Sequence, residues 1–146
     1  MSLRSTVSAW FRRLLDRLAA GKPLGRRGED AAARYLQRLG YQILARGDHS
    51  LPGELDLVAR DRDTIVFVEV KTRQSRESGH PAEAVGPAKQ RRLSRLAVTY
   101  LKRHGLLESP ARFDIIAVTW PENQHRPIIE HFQNAFEAVG RWEFYS

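Results

Sequence analysis

Glu54-Leu55-Asp56-Leu57-Val58-Ala59-Arg60 and Thr64-Ile65-Val66-Phe67-Val68-Glu69-Val70-Lys71 are two apolar, β-branched runs separated by Asp61-Arg62-Asp63. They read as consecutive antiparallel strands. Apolar residues fill nearly every position rather than alternate positions, so both faces of these strands need cover. Asp56 and Glu69 are anomalies on that background, because burying an unpaired carboxylate is costly. Strand pairing tests whether the two belong together. A two-residue loop at Asp61-Arg62 makes paired positions sum to 123 and sets Asp56 against Phe67 and Glu54 against Glu69. Side chains alternate, so Glu54, Asp56, Glu69 and Lys71 then share one face. A three-residue loop would put Asp56 and Glu69 on opposite faces. A common site therefore requires an odd-sum register.

Carboxylates gathered on one face repel unless positive charge lies between them. A hard divalent cation supplies it, and Mg2+ commonly takes one or two carboxylates with waters and substrate phosphate completing its shell. Lys71, two residues past Glu69, is placed to balance the carboxylates or to stabilise charge on a phosphate. The competing reading is a Glu–Lys pair on an exposed sheet face, worth little.

Outward from the hairpin, residues 26–39 read as a helix closed by Gly40, with Ala32, Tyr35, Leu36 and Leu39 as its buried stripe. Glu29 falls on that stripe and is either a site residue or a first-turn carboxylate answering the helix dipole. Tyr41–Ala45 reads as a strand and Gly47–Gly53 as a polar loop. Residues 73–84 read as a mobile loop. A long helix starts near Pro87, a favoured first-turn proline, with Leu93, Leu96, Ala97, Tyr100 and Leu101 facing inward, and ends at Gly105. Lys89 and Gln90 extend its inward stripe toward Lys71, whereas Arg91, Arg95 and Lys102 point away. Arg112–Thr119 and Pro127–Phe132 complete the strands. Strand, helix and strand from 64 to 119 predict a parallel crossover. The fold class is α/β, a mixed central sheet flanked by helices. Asp114 reads as a buried hydrogen-bonded carboxylate or strand-end cap, and Trp120 and Trp142 as packing residues rather than base-stacking ones.

Ahead of this domain, Val7, Trp10, Phe11, Leu14, Leu15 and Leu18 recur at helical spacing beside Arg12, Arg13 and Arg17. This extra amphipathic helix and its linker occupy residues 1–23, the α/β domain 24–138 and a tail 139–146. The helix is expected to dock on the domain or on a protein partner, through residues 1–22, in preference to an anionic membrane surface.

The whole chain has 146 residues and a formal charge of +7. Residues 1–30 carry seven Lys/Arg against three acids, and residues 71–103 carry nine against two, so the remainder is net negative. The larger excess begins at Lys71, the electrostatic footprint of phosphate binding. With no cysteine, a disulfide scaffold, a Cys-ligated metal and a thiol nucleophile are excluded, and a reducing, cytoplasmic location is expected. No run is long and apolar enough for a spanning helix. The five histidines show no metal-ligand spacing, and Gly25-Arg26-Arg27-Gly28 lacks the Lys-Ser/Thr ending of a phosphate loop.

Taken together, Gly53–Val58 and Val68–Arg73 resemble the PD-(D/E)xK, or restriction-endonuclease-like, nuclease superfamily. More narrowly, the chain resembles the bacterial YraN family of uncharacterised proteins. There Gly25-Arg26-Arg27-Gly28-Glu29, Glu54-Leu55-Asp56-Leu57-Val58-Ala59, Phe67–Arg73 and Arg112-Phe113-Asp114-Ile115 recur in this order. The resemblance covers about residues 24–138. It implies a restriction-endonuclease-like fold, Mg2+ or Mn2+ on Asp56 and Glu69, and Lys71 as catalytic lysine. Similarity to archaeal Holliday-junction resolvases implies a further catalytic role for Glu29, and a homodimer, since two symmetric cuts need two sites. One departure is Leu55 where the superfamily often has proline.

The resulting expectation is a metal-dependent nuclease acting on DNA, including branched or structured forms. Arg26, Arg27, Arg73, Lys89, Gln90 and Arg92 are expected on the nucleic acid. The alternatives are a non-catalytic nucleic-acid-binding protein that keeps the fold, and an interaction protein acting through its N-terminal helix. Glu54 and Asp114 remain open as contributors to the site.

Overall fold

The computed structural model describes residues 24–47, 55–74 and 85–139. The expected N-terminal helix at residues 1–23, residues 48–54, residues 75–84 and residues 140–146 lie outside the described residues. Seven elements follow in order: α1 (Leu24–Arg38), β1 (Gln42–Arg46), β2 (Leu57–Asp61), β3 (Thr64–Arg73), α2 (Pro87–Arg103), β4 (Ala111–Thr119) and β5 (Ile128–Phe136). The strands form one sheet in the order β1-β2-β3-β4-β5. Only β3 and β4 run parallel, with α2 as the crossover between them. This is the expected α/β architecture, a mixed central sheet flanked by helices, consistent with a restriction-endonuclease-like fold.

Continuous apolarity in β2 and β3 is explained by two separate cores. Val58, Ile65, Phe67, Phe113 and Ile115 pack against Leu93, Leu96, Ala97, Tyr100 and Leu101 of α2. On the other face Leu57, Ala59, Val66, Val68, Ile116 and Val118 pack against Ala32, Ala33 and Leu36 of α1. The inward stripe of α2 is as the periodicity predicts. That of α1 needs one correction: Leu39 is 51% exposed. The helix stops at Arg38, and Gly40, at φ 92°, turns the chain toward β1 before Leu39 can reach the core.

The β2–β3 turn also differs from the expected one. Asp61 pairs with Thr64, leaving Arg62 and Asp63 as the loop, and paired positions sum to 125. Arg62 takes a positive φ of 58°, as tight hairpins demand. The register is two residues from the one expected but of the same parity, so the face assignment survives. β5 is also longer than Pro127–Phe132, because its pairing with β4 runs from Thr119↔Ile128 to Phe113↔Phe136.

Asp114 sits in mid-β4 with no exposed surface. Arg112 donates to it from Nε at 3.0 Å, the Asn134 backbone N–H at 2.9 Å, and His131 Nε2 lies 2.8 Å away. Tyr35 Oη meets the other His131 nitrogen at 3.3 Å, so the imidazole bridges Tyr35 and Asp114. Arg112 also reaches the Tyr41 hydroxyl and Asp61. Among the described residues no buried side-chain nitrogen or oxygen lacks a partner. Burial would raise the Asp114 pKa, but the His131, Arg112 and Asn134 hydrogen bonds outweigh it and the pKa is lowered. This carboxylate fastens α1, β1, β4 and β5 together, as the buried reading anticipates, and is not a third site carboxylate.

Removing one partner of a buried ion pair leaves the other uncompensated, which typically costs about 3–5 kcal/mol. Asp114→Ala should therefore lose stability on that scale in urea titrations, with Asp114→Asn losing less. Losses of Asp114→Ala under about 1 kcal/mol would contradict the role assigned to it.

Candidate active site

β3 is buried through Glu69 and emerges into half-exposed positions from Val70 onward, so the candidate residues lie where the strand leaves the core. Leu57 pairs with Val68, and one step outward sets Asp56 across from Glu69. The Val70 backbone N–H donates to Asp56 Oδ2 at 2.8 Å, and the Asp56 carbonyl accepts from the Gly47 N–H. Asp56 is thus held from both sides at the mouth of β2. Glu69 is only 8% exposed, in the row that Phe67 continues inward beneath α2.

Two ammonium groups converge on that carboxylate. Lys71 Nζ lies 3.5 Å from Glu69 Oε1, and Lys89, in the first turn of α2, makes a direct ion pair with the same oxygen. Gln90 Nε2 donates to the Val85 carbonyl at 2.8 Å, tying down the approach to α2. The crossover helix starts beside the strand that feeds it, as expected, and brings Lys89 of its inward stripe onto Glu69. Arg92 is exposed on the same helix.

Glu29 arrives from the other side of the sheet. Gly28 is buried against Thr72 of β3, where an added Cβ would lie 1.9 Å from Thr72 Oγ1 and 3.0 Å from Thr72 Cβ. This close approach brings the first turn of α1 to the end of β3, and the Glu29 charge is felt at Asp56. Sequence reasoning missed the Gly28 contact; its signal lay in the Gly25-Arg26-Arg27-Gly28-Glu29 stretch, which reads as a family block and as a failed phosphate loop but not as a packing contact. Arg26 and Arg27 are exposed and Arg73 half-buried, around the same strand end. Glu54 lies outside the described residues.

The charges are imperfectly balanced. Burial first, and then the negative charge of Glu69 and Glu29, push the Asp56 carboxyl from 3.8 up to about 7, against the opposing Val70 hydrogen bond. Burial and the neighbouring Lys89 lower the Lys71 pKa, with Glu69 opposing. Burial also works against the Lys89 ammonium, but its hydrogen bonds to Glu69 and Lys71 prevail and its pKa is raised. Among the described residues no group of three or more His, Cys, Asp or Glu side chains is arranged to hold a metal. Asp56 and Glu69 nevertheless provide the two oxygen donors that Mg2+ commonly takes from a protein. Both are hard donors, and a cation beside them would remove the repulsion that now raises Asp56. The donor set suits a hard divalent ion.

The sequence profile of uncharacterised protein family UPF0102 matches residues 28–118, a span that holds Glu29, Asp56, Glu69, Lys71 and Lys89. The chain belongs to this family. UPF0102 is the YraN family that the sequence blocks resemble. A UPF0102 protein of Geobacter sulfurreducens is 53% identical over 118 residues, covering 81% of this chain and 91% of that protein. One from Rhodopirellula baltica is 50% identical over 125 residues, covering 84% and 75%. A third, from Symbiobacterium thermophilum, is 50% identical over 115 residues, covering 79% and 97%. UPF0102 membership assigns the family and leaves the reaction to be argued from the site.

Two outcomes follow. The folded protein keeps the Asp56 proton between pH 3.8 and about 7, whereas the unfolded chain has released it. Stability from this group is therefore full below 3.8 and lost as pH rises through about 7. In EDTA, urea midpoints of the wild type should fall from pH 5 to 8 relative to Asp56→Asn, and parallel curves would refute the charge imbalance. Gly28→Ala should cost about 1–3 kcal/mol through overpacking on Thr72; an unchanged melting temperature would show that the approach is not tight.

Proposed function

We propose that this protein is a divalent-metal-dependent nuclease acting on DNA, with branched or otherwise structured DNA as its substrate class. The observation that carries this reading is the placement of Asp56 and Glu69 across one strand pair with Lys71 beside them. In this reading Asp56 and Glu69 hold Mg2+ or Mn2+, which when bound supplies charge neutralisation at the scissile phosphate and activation of water.

The protein's own groups do the rest. The Val70 N–H fixes Asp56 Oδ2 and so orients this carboxylate beside Glu69. Lys71 stays within reach of Glu69 and offers its ammonium to the charge that builds on the phosphoryl oxygens. Lys89 pairs with Glu69 and would offer its ammonium to the substrate phosphate beside a cation held by Asp56 and Glu69. Glu29 adds negative charge at the same strand end. The exposed Arg26, Arg92 and half-buried Arg73 supply salt-dependent phosphate contacts. A resolvase-like reaction would use a homodimer, with one such site per strand cut.

One observation favours the second reading, a nucleic-acid-binding protein that retains the fold without cutting: the Lys89 ammonium already compensates Glu69. Cleavage separates the two. Junction, flap and single-stranded DNA should be cut in Mg2+ or Mn2+, with Lys71→Ala slowing the reaction about 100- to 1,000-fold while binding persists. Saturating Mn2+ should raise the wild-type melting temperature by about 3–8 °C and leave Asp56→Ala unmoved. Binding without any cleavage by the wild type would give the protein to the second reading, and no metal shift would remove the metal site.

A further inference from the structure

The first turn of α1 serves two surfaces at once. Glu29 lies within electrostatic reach of Asp56, while Arg27 lies over the indole of Trp120, 4.8 Å from the ring centroid. Trp120 follows β4, and its backbone N–H donates to the Arg73 carbonyl at 2.9 Å. From there an open cleft of about 760 Å³ runs along the outer side of α1, lined by Arg27, Arg34, Arg38, Trp120 and Arg126. Its one carboxylate, Asp30, is bound by Arg46 at 2.7 Å. The cleft is thus cationic, with an aromatic surface at the end nearer the carboxylate site.

Its chemistry selects the ligand. Arginines spaced along a helix match successive phosphates better than a single anionic group. An indole with a guanidinium over it is a stacking platform for a base that is not already stacked within a duplex. Lys71 and Arg73 are separated by two strand residues, about 7 Å, roughly the rise of two stacked nucleotides. Trp120 lies on the α1 side of the sheet and Lys71 on the α2 side, so a single strand leaving the carboxylate site reaches Trp120 by passing round the end of β3, where the Trp120 N–H meets the Arg73 carbonyl.

We propose that this cleft is a single-stranded nucleic-acid subsite that receives the unpaired nucleotides adjoining the cleavage position. A base stacks at Trp120 and Arg27, and the following phosphates lie on Arg34, Arg38 and Arg126. The direction of the strand rests on the nuclease reading; the binding itself does not.

The test is fluorescence anisotropy of a labelled oligo-dT strand and of a duplex of equal length, with the full chain in EDTA so that no metal contributes. Arg34→Glu/Arg38→Glu changes two exposed residues. It should weaken single-strand binding at least about tenfold and flatten the log K against log [salt] slope by about 1.4, the loss of two single-strand phosphate contacts. Trp120→Leu should weaken it about 5- to 150-fold, with Trp120→Phe retaining most of the affinity. Unchanged single-strand binding in the double variant, or an equal loss for duplex, would overturn the proposal even if cleavage is found. Selective loss of single-strand binding would uphold it even if the wild type cuts nothing, in which case the nuclease reading alone falls.

Discussion

Side chains alternate across a strand, so the parity of one hairpin register decides whether Asp56 and Glu69 meet or sit on opposite sides of a sheet. In this protein the β2–β3 pairing has odd sums throughout. That places the two carboxylates and Lys71 on the α2 face, beyond Phe67. The same parity sends Val66 and Val68 to the α1 face. A one-residue slip would invert both cores together with the site, so the apolar packing that stabilises the fold also enforces the constellation. Gly28 adds a second fixed point by letting the first turn of α1 press on Thr72.

The sheet buries carboxylates in two different ways. Asp114 is surrounded by Arg112, His131 and the Asn134 N–H, and its pKa falls. Asp56 has one backbone donor and two acidic neighbours, and its pKa rises. The first arrangement is closed and stabilises the fold. The second leaves negative charge for something else to compensate, which is the usual mark of a functional position rather than a structural one. Lys89 and Lys71 offset part of it at Glu69, and a divalent cation would offset more. This contrast within one sheet supports the reading of Asp56 and Glu69 as a metal-binding pair.

Much of this was legible in the sequence because it rests on periodicity. The apolar runs of β2 and β3, the inward stripe of α2 and the parallel crossover all follow from spacing alone. Turn placement was less legible: Asp61 extends β2 instead of entering the loop, since a charged residue at a strand end resembles a turn residue. Leu39 counted toward a helical stripe that ends one residue earlier. Of the partners of Asp114, His131 and Asn134 were hidden because they lie 17 and 20 positions later in the chain, on another strand. Lys89 was placed near Lys71 by the crossover, but its choice of Glu69 depends on side-chain geometry. Trp120 packs against the α1-side core as expected, and only the fold adds Arg27 lying over its ring.

The most direct measurement is anomalous diffraction from crystals of the protein soaked in Mn2+. A peak between the Asp56 and Glu69 carboxylates, lost in Asp56→Asn crystals, is the predicted result. Absence of a peak there at saturating Mn2+, with Lys89 still bound to Glu69, would contradict the account.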